Sequence, residues 1–280
     1  MEIFHSISAL KSWLQDQRLH NKSIGFVPTM GALHEGHMSL IHQSNQENDI
    51  TICSVFVNPT QFDNADDLQK YPRNTDRDSQ LLEDANCDAV FFPTVQDMYP
   101  NGTKAGSFTF NGIENQMEGK FRPGHFDGVA TIVSRFFDII QPDKAYFGEK
   151  DFQQLRIIQE LVKQSYKNLE IVPMPIARAK SGLALSSRNE RLSSELAMEA
   201  PQIFRILNKI KDWKVEYSVT ETIKKVEEAF LATSLKLEYI IICDEESLEP
   251  ISSWDEAKYI RAFVAAYAND VRLIDNLRIE

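Results

Sequence analysis

Residues 23–37, SIGFVPTMGALHEGH, join a short apolar run to a turn that contains two glycines. The run at 23–27 predicts a buried strand, and the segment that begins at Ser39 predicts a helix. A strand, a tight turn and a helix N-terminus form a docking place for phosphates, because we expect unpaired N–H groups and the helix dipole to point there. Gly31 and Gly36 allow close backbone approach or unusual dihedral angles.

Two histidines in this turn, His34 and His37, lie three residues apart. On the first turn of a helix, this spacing places both side chains on the same side. Imidazoles in that position can donate to phosphate oxygens, and they do so more strongly when protonated. One histidine near a turn is usually an ordinary surface residue, but this pair between a strand and a helix favours phosphate binding.

The composition is that of an ordinary globular protein with an acidic balance. The chain has 280 residues, 42% hydrophobic and 25% charged, with a net charge of −11. Its length allows one or two domains with a sizeable core. We expect neither nucleic acid nor membrane as a partner, because nonspecific binding to either needs a basic face. An anionic small ligand fits only where the few cations are concentrated.

Several features of the sequence bear on where in the cell the protein resides. The apolar runs fall short of the roughly 18 residues that a membrane span needs, and the first residues lack a secretory pattern. Cys53, Cys87 and Cys243 are far apart and odd in number, so we interpret them as small buried hydrophobic residues and not as metal ligands. Reduced cysteines predict a cytoplasmic protein.

Strand-like and helix-like segments alternate through the first part of the chain. Strands are predicted at 23–27, 49–57, 89–92, 144–147 and 169–173, and helices at 6–20, 76–86, 129–140 and 152–167. This alternation predicts an α/β domain built on a parallel sheet with helices on both faces.

The segment Pro173-Met174-Pro175 predicts the end of that domain. Beyond it, two helices (roughly 193–211 and 217–233) and three strands (near 236–243, 258–267 and 271–275) predict a smaller α+β domain. Few of its residues are chemically distinctive, so we expect it to cover a cleft.

Polar residues follow two further predicted strands. Asn58 and Gln61 come directly after the strand at 49–57, and ligands of open parallel sheets bind just beyond the carboxyl ends of strands. A simple Asn-Pro turn is the alternative interpretation. After the strand at 144–147, Lys150 is well placed to reach phosphates, whereas Glu149 and Asp151 suit capping or a ribose; a solvated charge cluster stays open as the alternative.

The segment 178–189, RAKSGLALSSRN, combines hydroxyl groups, a guanidinium and a glycine. Ser186, Ser187 and Arg188 have the chemistry to bind a triphosphate, and Gly182 allows the segment to act as a hinged loop. In isolation, the same segment is more simply explained as a linker between two domains.

With these residues considered together, the chain resembles the pantoate–β-alanine ligase family almost from end to end. The motifs that carry the resemblance are PTMGALHEGH at 28–37, VNPTQF at 57–62, YPR at 71–73, GKFRPGHFDGVAT at 119–131, QPD at 141–143, YFGEKDFQQL at 146–155, GLALSSRN at 182–189 and RLIDN at 272–276. Their number and order make the resemblance specific. Asn269 departs from the family's frequent glycine, and asparagine can replace glycine in a left-handed turn.

The resemblance implies a Rossmann-like domain at residues 1–176 that binds nucleotide and pantoate, and a small C-terminal lid domain at 177–280. It also implies a homodimer, Mg²⁺, and ATP as a substrate. The implied reaction has two steps: pantoate attacks ATP to form pantoyl adenylate and pyrophosphate, and β-alanine then displaces AMP to form pantothenate.

The resemblance also implies residue roles. The implied catalytic residues are His34, His37, Lys150 and Arg188, of which His37 is the family's proton donor. The implied ATP-binding residues are Met30, Gly31, His34, Gly36, His37, Gly148, Glu149, Lys150, Asp151, Ala177, Leu185, Ser186, Ser187 and Arg188. Gln61 and Gln154 would hold pantoate, and Asn58 with Gln61 would orient β-alanine.

The metal ligands stay undetermined at this level. Asp76 and Asp78 lie near the expected region, but they equally suit the start of a helix. Mg²⁺ often binds mainly to phosphates and water.

Two other functions compete with this interpretation. The His34–His37 motif alone also fits a synthetase acting on tRNA or another acid-activating nucleotidyltransferase, although the net charge of −11 counts against a tRNA partner. A regulator that binds nucleotide without chemistry is the third interpretation. Such a regulator would not need both glutamines, Gln61 and Gln154, and two groups of cationic residues around one cleft.

Overall fold

The computed structural model describes residues 1–62 and 65–279. The chain divides into two compact units, of which the first comprises Met1–Glu149 and Gln153–Pro175 and the second comprises Lys150–Phe152 and Ile176–Glu280. The short segment Lys150–Phe152 therefore belongs to the second unit, although the chain returns to the first unit directly after it.

The first unit is built on a parallel sheet, which confirms the predicted α/β architecture. Among the described residues the sheet has six strands: β1 (Glu2–Phe4), β2 (Ile24–Thr29), β3 (Ile50–Val55), β4 (Ala89–Phe91), β5 (Lys144–Gly148) and β6 (Glu170–Met174). Their order is β1-β4-β3-β2-β5-β6. Strand β1 was not predicted, because an edge strand of three residues is too short to show alternation.

Helices connect these strands. They are α1 (Ile7–Leu19), α2 (Glu35–Glu47), α3 (Ala65–Lys70), α4 (Thr75–Asp84), α5 (Val95–Met98), α6 (Met117–Phe121), α7 (His125–Ile140) and α8 (Phe152–Ser165). Single 3-10 turns lie at Pro59–Gln61, Ile113–Asn115 and Glu149–Asp151. None of the helices in the described part of the chain is long and apolar enough to cross a membrane.

Two neighbouring residues of β2 show that helices cover both faces of the sheet. The Phe26 ring packs against the rings of Phe136 and Phe137 in α7, at centroid distances of 5.6 and 6.3 Å. A Cβ atom on the preceding Gly25 would overlap the hydroxyl of Ser44 in α2. Successive strand residues point to opposite faces, so α7 and α2 lie on opposite sides, as predicted.

The order of the strands selects one edge of this sheet for ligands. From β2 the chain proceeds to β3 on one side, and β5 pairs with β2 on the other side. Ligands of open α/β sheets bind beyond the carboxyl ends of the strands at such a reversal. The carboxyl ends of β2, β3 and β5 therefore lie side by side at one edge of the first unit.

The second unit is a small α+β fold, which confirms the predicted class. In its described residues, β7 (Lys236–Asp244), β8 (Ile260–Ala268) and β9 (Val271–Arg278) form an antiparallel sheet in that order. Its helices are α9 (Ser194–Glu199), α10 (Gln202–Trp213) and α11 (Val219–Leu231). The apolar residues of α10, α11 and the sheet form one buried core.

Two details of the second unit correct or confirm the sequence analysis. The helix predicted at 193–211 is two helices, because Pro201 stands as the N-cap of α10 and cannot continue the hydrogen bonding of α9. Asn269, between β8 and β9, has φ 53°. The prediction that asparagine replaces glycine in a left-handed turn is confirmed.

The three cysteines are buried and unpaired with one another, as predicted. Burial raises the pKa of the Cys87 thiol and of the Cys243 thiol to about 12. Such thiols stay protonated at neutral pH, so they serve as small packing groups.

Candidate active site

The histidine pair lies at the start of α2, at the carboxyl end of β2. The helix begins at Glu35, four residues earlier than predicted, because His34 serves as its N-cap. The two imidazole rings lie with centroids 4.0 Å apart and planes inclined by 36°. The sequence prediction that His34 and His37 face the same side is confirmed.

Hydrogen bonds define which nitrogen of each ring carries a proton. Nδ1 of His34 accepts from the Gly36 N–H at 3.1 Å, and Nδ1 of His37 accepts from the His34 N–H at 3.3 Å. A neutral imidazole that accepts at Nδ1 is protonated at Nε2. Each neutral ring therefore carries its proton at Nε2, and an Nε2–H group can donate to an oxyanion.

The backbone N–H groups of the turn are used within the chain. Gly31 N–H donates to Thr29 Oγ1 at 3.3 Å, and the Ala32 and Leu33 N–H groups donate to the carboxylate of Asp78 at 2.9 and 2.8 Å. The prediction of unpaired N–H groups is wrong for these amides. The two imidazoles therefore remain as candidate donors to a ligand at this turn.

The segment after β3 fixes the side chain of Gln61. The amide of Asn58 donates to Gln61 Oε1 at 3.0 Å and to the Gly128 carbonyl at 3.1 Å. Gln61 Nε2 in turn donates to the sulfur of Met30 at 2.9 Å. The structure thus brings Asn58 and Gln61, which were predicted from one segment, together with Met30 from the histidine turn.

Asn58 itself is only 1% exposed. Its carbonyl oxygen accepts from the hydroxyl of Tyr99 at 2.5 Å and from that of Thr60 at 3.1 Å. Both ends of the Asn58 amide are therefore engaged by the protein. This geometry suits a residue that fixes the position of the Gln61 side chain.

Two residues that were not predicted as site residues, Arg122 and His125, hold the backbone of Gln61. Its carbonyl oxygen accepts from His125 Nδ1 at 2.8 Å and from the Arg122 guanidinium at 3.2 Å. Arg122 also forms an ion pair of 3.4 Å with Glu118. The helix predicted to begin near Val129 begins at His125, which is why this histidine is fixed on α7 and not in a loop.

The end of β5 contributes open backbone. A Cβ atom built on Gly148 meets no heavy atom of the described residues within 4 Å. Internal packing therefore does not require glycine at this position. Glu149 follows in a 3-10 turn.

Gln154 lies half-buried in the first turn of α8. Its neighbour Gln153, which was not predicted as a site residue, is buried and accepts from the Glu118 N–H at 2.9 Å. Gln153 also donates to the carbonyls of Ile113 and Gln116, at 2.8 Å each. Gln153 therefore anchors the segment 113–118 to the helix that carries Gln154.

In the second unit, the backbone of Lys150 is held by Asn276. The Asn276 amide donates to the Lys150 carbonyl at 3.0 Å, and its oxygen accepts from Arg261 at 2.6 Å. The Lys150 ammonium lies 3.7 Å from the carboxylate of Asp151, and the lysine side chain is 18% exposed. Lys150 is thus fixed at its backbone, and its side chain is partly exposed.

The segment that carries Ala177 and Leu185 is a short hairpin. The Leu185 N–H donates to the Ala177 carbonyl at 2.9 Å. Gly182 has φ 96°, and a Cβ on it would lie 2.7 Å from the Phe204 ring. Glycine therefore serves a tight left-handed turn packed on an aromatic ring, whereas its role as a hinge stays a prediction.

Arg178 fastens this hairpin. Its guanidinium forms a two-point ion pair with Asp275, with N–O distances of 2.6 and 2.8 Å, and lies 3.8 Å from the centre of the Phe204 ring. Burial raises the pKa of Asp275, and the hydrogen bonds from Arg178 oppose this shift.

The hydroxyl groups and the guanidinium of this segment follow the hairpin. Ser186 caps a 3-10 helix, Ser187–Arg191, and its hydroxyl accepts from the Arg188 N–H at 3.3 Å. Ser187 is buried, whereas Ser186 and Arg188 are partly exposed.

The described residues contain no group of three or more histidine, cysteine, aspartate or glutamate side chains placed to hold a metal ion. Of the two aspartates considered in the sequence analysis, Asp76 is exposed in the first turn of α4. Asp78 is buried, and its oxygens accept from the turn after β2.

Comparison with known proteins identifies the relatives of this chain. A sequence model of the family Pantoate-beta-alanine ligase matches residues 2–278. The pantothenate synthetase of Bacteroides thetaiotaomicron is 48% identical over 279 residues, which cover 99% of each chain. That of Christiangramia forsetii is 47% identical over 281 residues, covering 100% of this chain and 99% of the other.

Solved structures agree with these relatives. Pantothenate synthetase from Thermus thermophilus superposes with a TM-score of 0.91 at 39% identity, covering 100% of this chain and 99% of the other. Pantoate–β-alanine ligase from Francisella tularensis, complexed with β-γ ATP and β-alanine, superposes with a TM-score of 0.84 at 38% identity, covering 100% and 98%. The resemblance inferred from the motifs is confirmed, and the chain belongs to the pantoate–β-alanine ligase family.

Proposed function

We propose that this ligase joins pantoate to β-alanine through a pantoyl adenylate, releasing pyrophosphate and then AMP. The observation that carries the proposal is the imidazole pair at the start of α2, whose Nδ1 atoms are occupied by backbone amides so that both Nε2–H groups serve as donors. The Francisella tularensis relative binds β-γ ATP and β-alanine, which supports the same substrates here.

In the first step, a carboxylate oxygen of pantoate attacks the α-phosphorus of ATP, and the bond to the pyrophosphate oxygen breaks. Negative charge grows on the α-phosphate and on the leaving pyrophosphate. Donors fixed beforehand at those oxygens lower the barrier, by about 3 kcal/mol for one well-placed donor. We assign this role to His34, His37, Lys150 and Arg188, with His37 as the proton donor.

Pantoate is assigned to the two glutamines. Gln61 has its amide fixed by Asn58 and Met30 and its carbonyl fixed by His125 and Arg122, so its orientation is set before a ligand arrives. Such preorganisation is what a positioning group needs, because little freedom is lost on binding. Gln154 would hold the substrate from α8. Asn58 acts through Gln61, and Gln61 would also orient β-alanine.

The remaining assigned residues are proposed to contact ATP. Gly148 supports this role, because its backbone is open on the Cβ side and allows close approach of a nucleotide. The other proposed contacts are Met30, Gly31, Gly36, Glu149, Asp151, Ala177, Leu185, Ser186 and Ser187.

The second step is proposed to depend on proximity. The amine of β-alanine attacks the carbonyl carbon of the adenylate, the bond to the phosphate oxygen breaks and AMP leaves with that oxygen, while the amine's proton passes to solvent. A reactive mixed anhydride held away from water beside a bound amine reacts without a covalent bond to the enzyme.

Mg²⁺ is proposed to enter with ATP, as part of the substrate. Mg²⁺ keeps several waters and binds readily through substrate phosphates. When bound, it would neutralise phosphate charge beside the donors named above.

We further propose that residues 1–176 bind nucleotide and pantoate, that residues 177–280 act as a lid, and that the protein is a cytoplasmic homodimer. These assignments rest on the resemblance of the sequence motifs to the family. Sedimentation of the purified chain at several concentrations tests the dimer.

Release of pyrophosphate tests the reaction. With ATP and pantoate alone, we expect a burst of about one pyrophosphate per active site, and with β-alanine we expect steady turnover with AMP. Pyrophosphate–ATP exchange that requires pantoate, but not β-alanine, would identify the adenylate. Release that ignores both acids would indicate a different transferase, and no release at all would indicate a nucleotide-binding regulator.

A further inference from the structure

A buried carboxylate reaches the histidine turn from a different element of the first unit. Asp78 lies in α4, 45 residues beyond Leu33 in the chain, and is 1% exposed. One of its oxygens accepts from the Ala32 N–H at 2.9 Å, and the other accepts from the Leu33 N–H at 2.8 Å. This two-point contact fixes the orientation of two consecutive peptide groups.

The backbone at this contact has an uncommon conformation. Gly31 has φ 82° and Ala32 has φ 49°. A left-handed alanine is disfavoured, because its Cβ approaches the following carbonyl oxygen, so other interactions must maintain it. The hydrogen bond from the Ala32 N–H to Asp78 is such an interaction.

Gly31 makes room for the carboxylate. A Cβ atom on Gly31 would lie 2.9 Å from Asp78 Oδ2 and 3.0 Å from the side chain of Val55. Gly31 and Asp78 therefore pack directly against each other, and a side chain at position 31 would displace the carboxylate.

The residue after this contact is His34, whose ring caps α2 and whose N–H donates to His37. We infer that Asp78 is a positioning residue that sets the direction of both imidazoles by holding Ala32 and Leu33. The inference rests on the proposed function only for its effect on turnover. Its effect on the imidazoles themselves is independent of any reaction.

Asp78→Asn tests the inference with little change in shape. The asparagine keeps one acceptor, but its NH₂ group faces a backbone N–H, so one of the two contacts is lost. Because a misplacement of about 1 Å can cost about a hundredfold in rate, we expect kcat for pyrophosphate release to fall at least about tenfold. The KM for pantoate should change less than about threefold, since the Asp78 carboxylate is directed at the backbone of the histidine turn. Glu83→Gln, which removes one exposed charge from the same helix, should leave both constants unchanged.

Nitrogen NMR of the imidazoles supplies a readout that a purely structural role would not move. In the unsubstituted protein, His34 and His37 should show the tautomer protonated at Nε2. In Asp78→Asn, their signals should shift or show mixed tautomers, while exposed His42 stays unchanged. If the signals of His34 and His37 are unmoved, the inference is wrong, whether or not the protein releases pyrophosphate.

A double substitution tests whether Gly31 and Asp78 act as one unit. Gly31→Ala alone should reproduce the loss of turnover and the change of imidazole signals. Residues that act through one contact give effects that do not add. Turnover in the combined variant should therefore be close to that of the less active single variant, and a fully multiplicative loss would overturn the inference. If Asp78→Asn fails to fold, the signals of Gly31→Ala decide the question, because that variant displaces the carboxylate without removing it.

Discussion

The side-chain amide of Asn276 donates a hydrogen bond of 3.0 Å to the backbone carbonyl of Lys150. Asn276 is 1% exposed, and its own oxygen accepts from Arg261 at 2.6 Å. The lysine assigned to the phosphates is therefore held, through its backbone, by strand β9 of the second unit. Arg261 is in turn held by Glu245 at 3.1 Å and lies over the Phe152 ring.

Asn276→Ala should reduce turnover with folding retained. The substitution leaves the Lys150 carbonyl without this donor, and the loss of one such hydrogen bond costs about 1 kcal/mol, or about fivefold in rate if the whole effect falls on the lysine. The measurement is kcat for pyrophosphate release at saturating ATP. Asn208→Ala, which removes a side-chain bond to the Phe204 carbonyl in the same unit, is the control. Equal kcat values in the two variants would show that the bond to Lys150 does not matter for turnover.

His37→Ala and Lys150→Ala should each lower kcat by at least about a hundredfold, because each removes a donor to charge that grows in the transition state. Far-ultraviolet circular dichroism should show intact folding. His42→Ala, at an exposed position of α2, is the matched control and should keep normal turnover. Near-normal activity in His37→Ala or Lys150→Ala would remove that residue from the phosphate-handling role.

Gly148→Ala and Gly128→Ala should affect different properties: the first the KM for ATP, and the second the Tm. A Cβ on Gly148 meets no described atom within 4 Å, so this variant should keep its Tm, while the KM for ATP rises because the nucleotide loses space. A Cβ on Gly128 would overlap the Thr60 carbonyl, so the second variant should lose several degrees of Tm. An unchanged KM for ATP in Gly148→Ala would argue against a nucleotide at that position.

Nucleotide should protect the segment at Ser186–Arg188 from trypsin. The hairpin before it is fastened by Arg178 and Asp275, so we expect closure to affect the short 3-10 helix more than the hairpin. The measurement is the rate of cleavage after Arg188 with and without ATP, against cleavage after the exposed Lys104 as the internal reference. Equal cleavage after Arg188 in both conditions would count against ordering of this segment by ATP.

Acid should weaken the fold through carboxylates that accept hydrogen bonds. Bonds from Thr94 lower the pKa of Asp97, and bonds from Ser218 lower the pKa of Glu221. A carboxylate with a lowered pKa in the folded state stabilises the fold above its unfolded pKa of about 4, and this contribution is lost as pH falls through the folded pKa. The free energy of unfolding in urea should therefore decrease below about pH 4.

Thr94→Ala isolates one of these contributions. Without the threonine hydroxyl, the pKa of Asp97 should rise toward its usual value, and carbon NMR of the Asp97 carboxyl measures it directly. Glu221 should keep its lowered pKa in this variant, because its partner Ser218 lies in the other unit. An Asp97 pKa that does not move would show that the hydroxyl contributes little.

The regular elements and the family were accessible from the residues alone, because both depend on short-range patterns. Apolar periodicity identified the longer strands and helices of the first unit, and His34, Gln61 and Lys150 stood in the segments that follow predicted strands. The misplaced boundaries have local causes: His34 caps α2 earlier than periodicity suggests, and Pro201 divides one predicted helix in two.

The contacts that hold the assigned residues in place were not accessible in this way. Asp78 meets the histidine turn across 45 or 46 residues, Gln61 is held by His125 across 64, and Asn276 meets Lys150 across 126. Such hydrogen bonds depend on which strands and helices become neighbours, and helical or strand periodicity carries no information about that order. Residue types could suggest the chemistry, whereas the folded chain was needed to show which side chains hold the reacting groups and which are held.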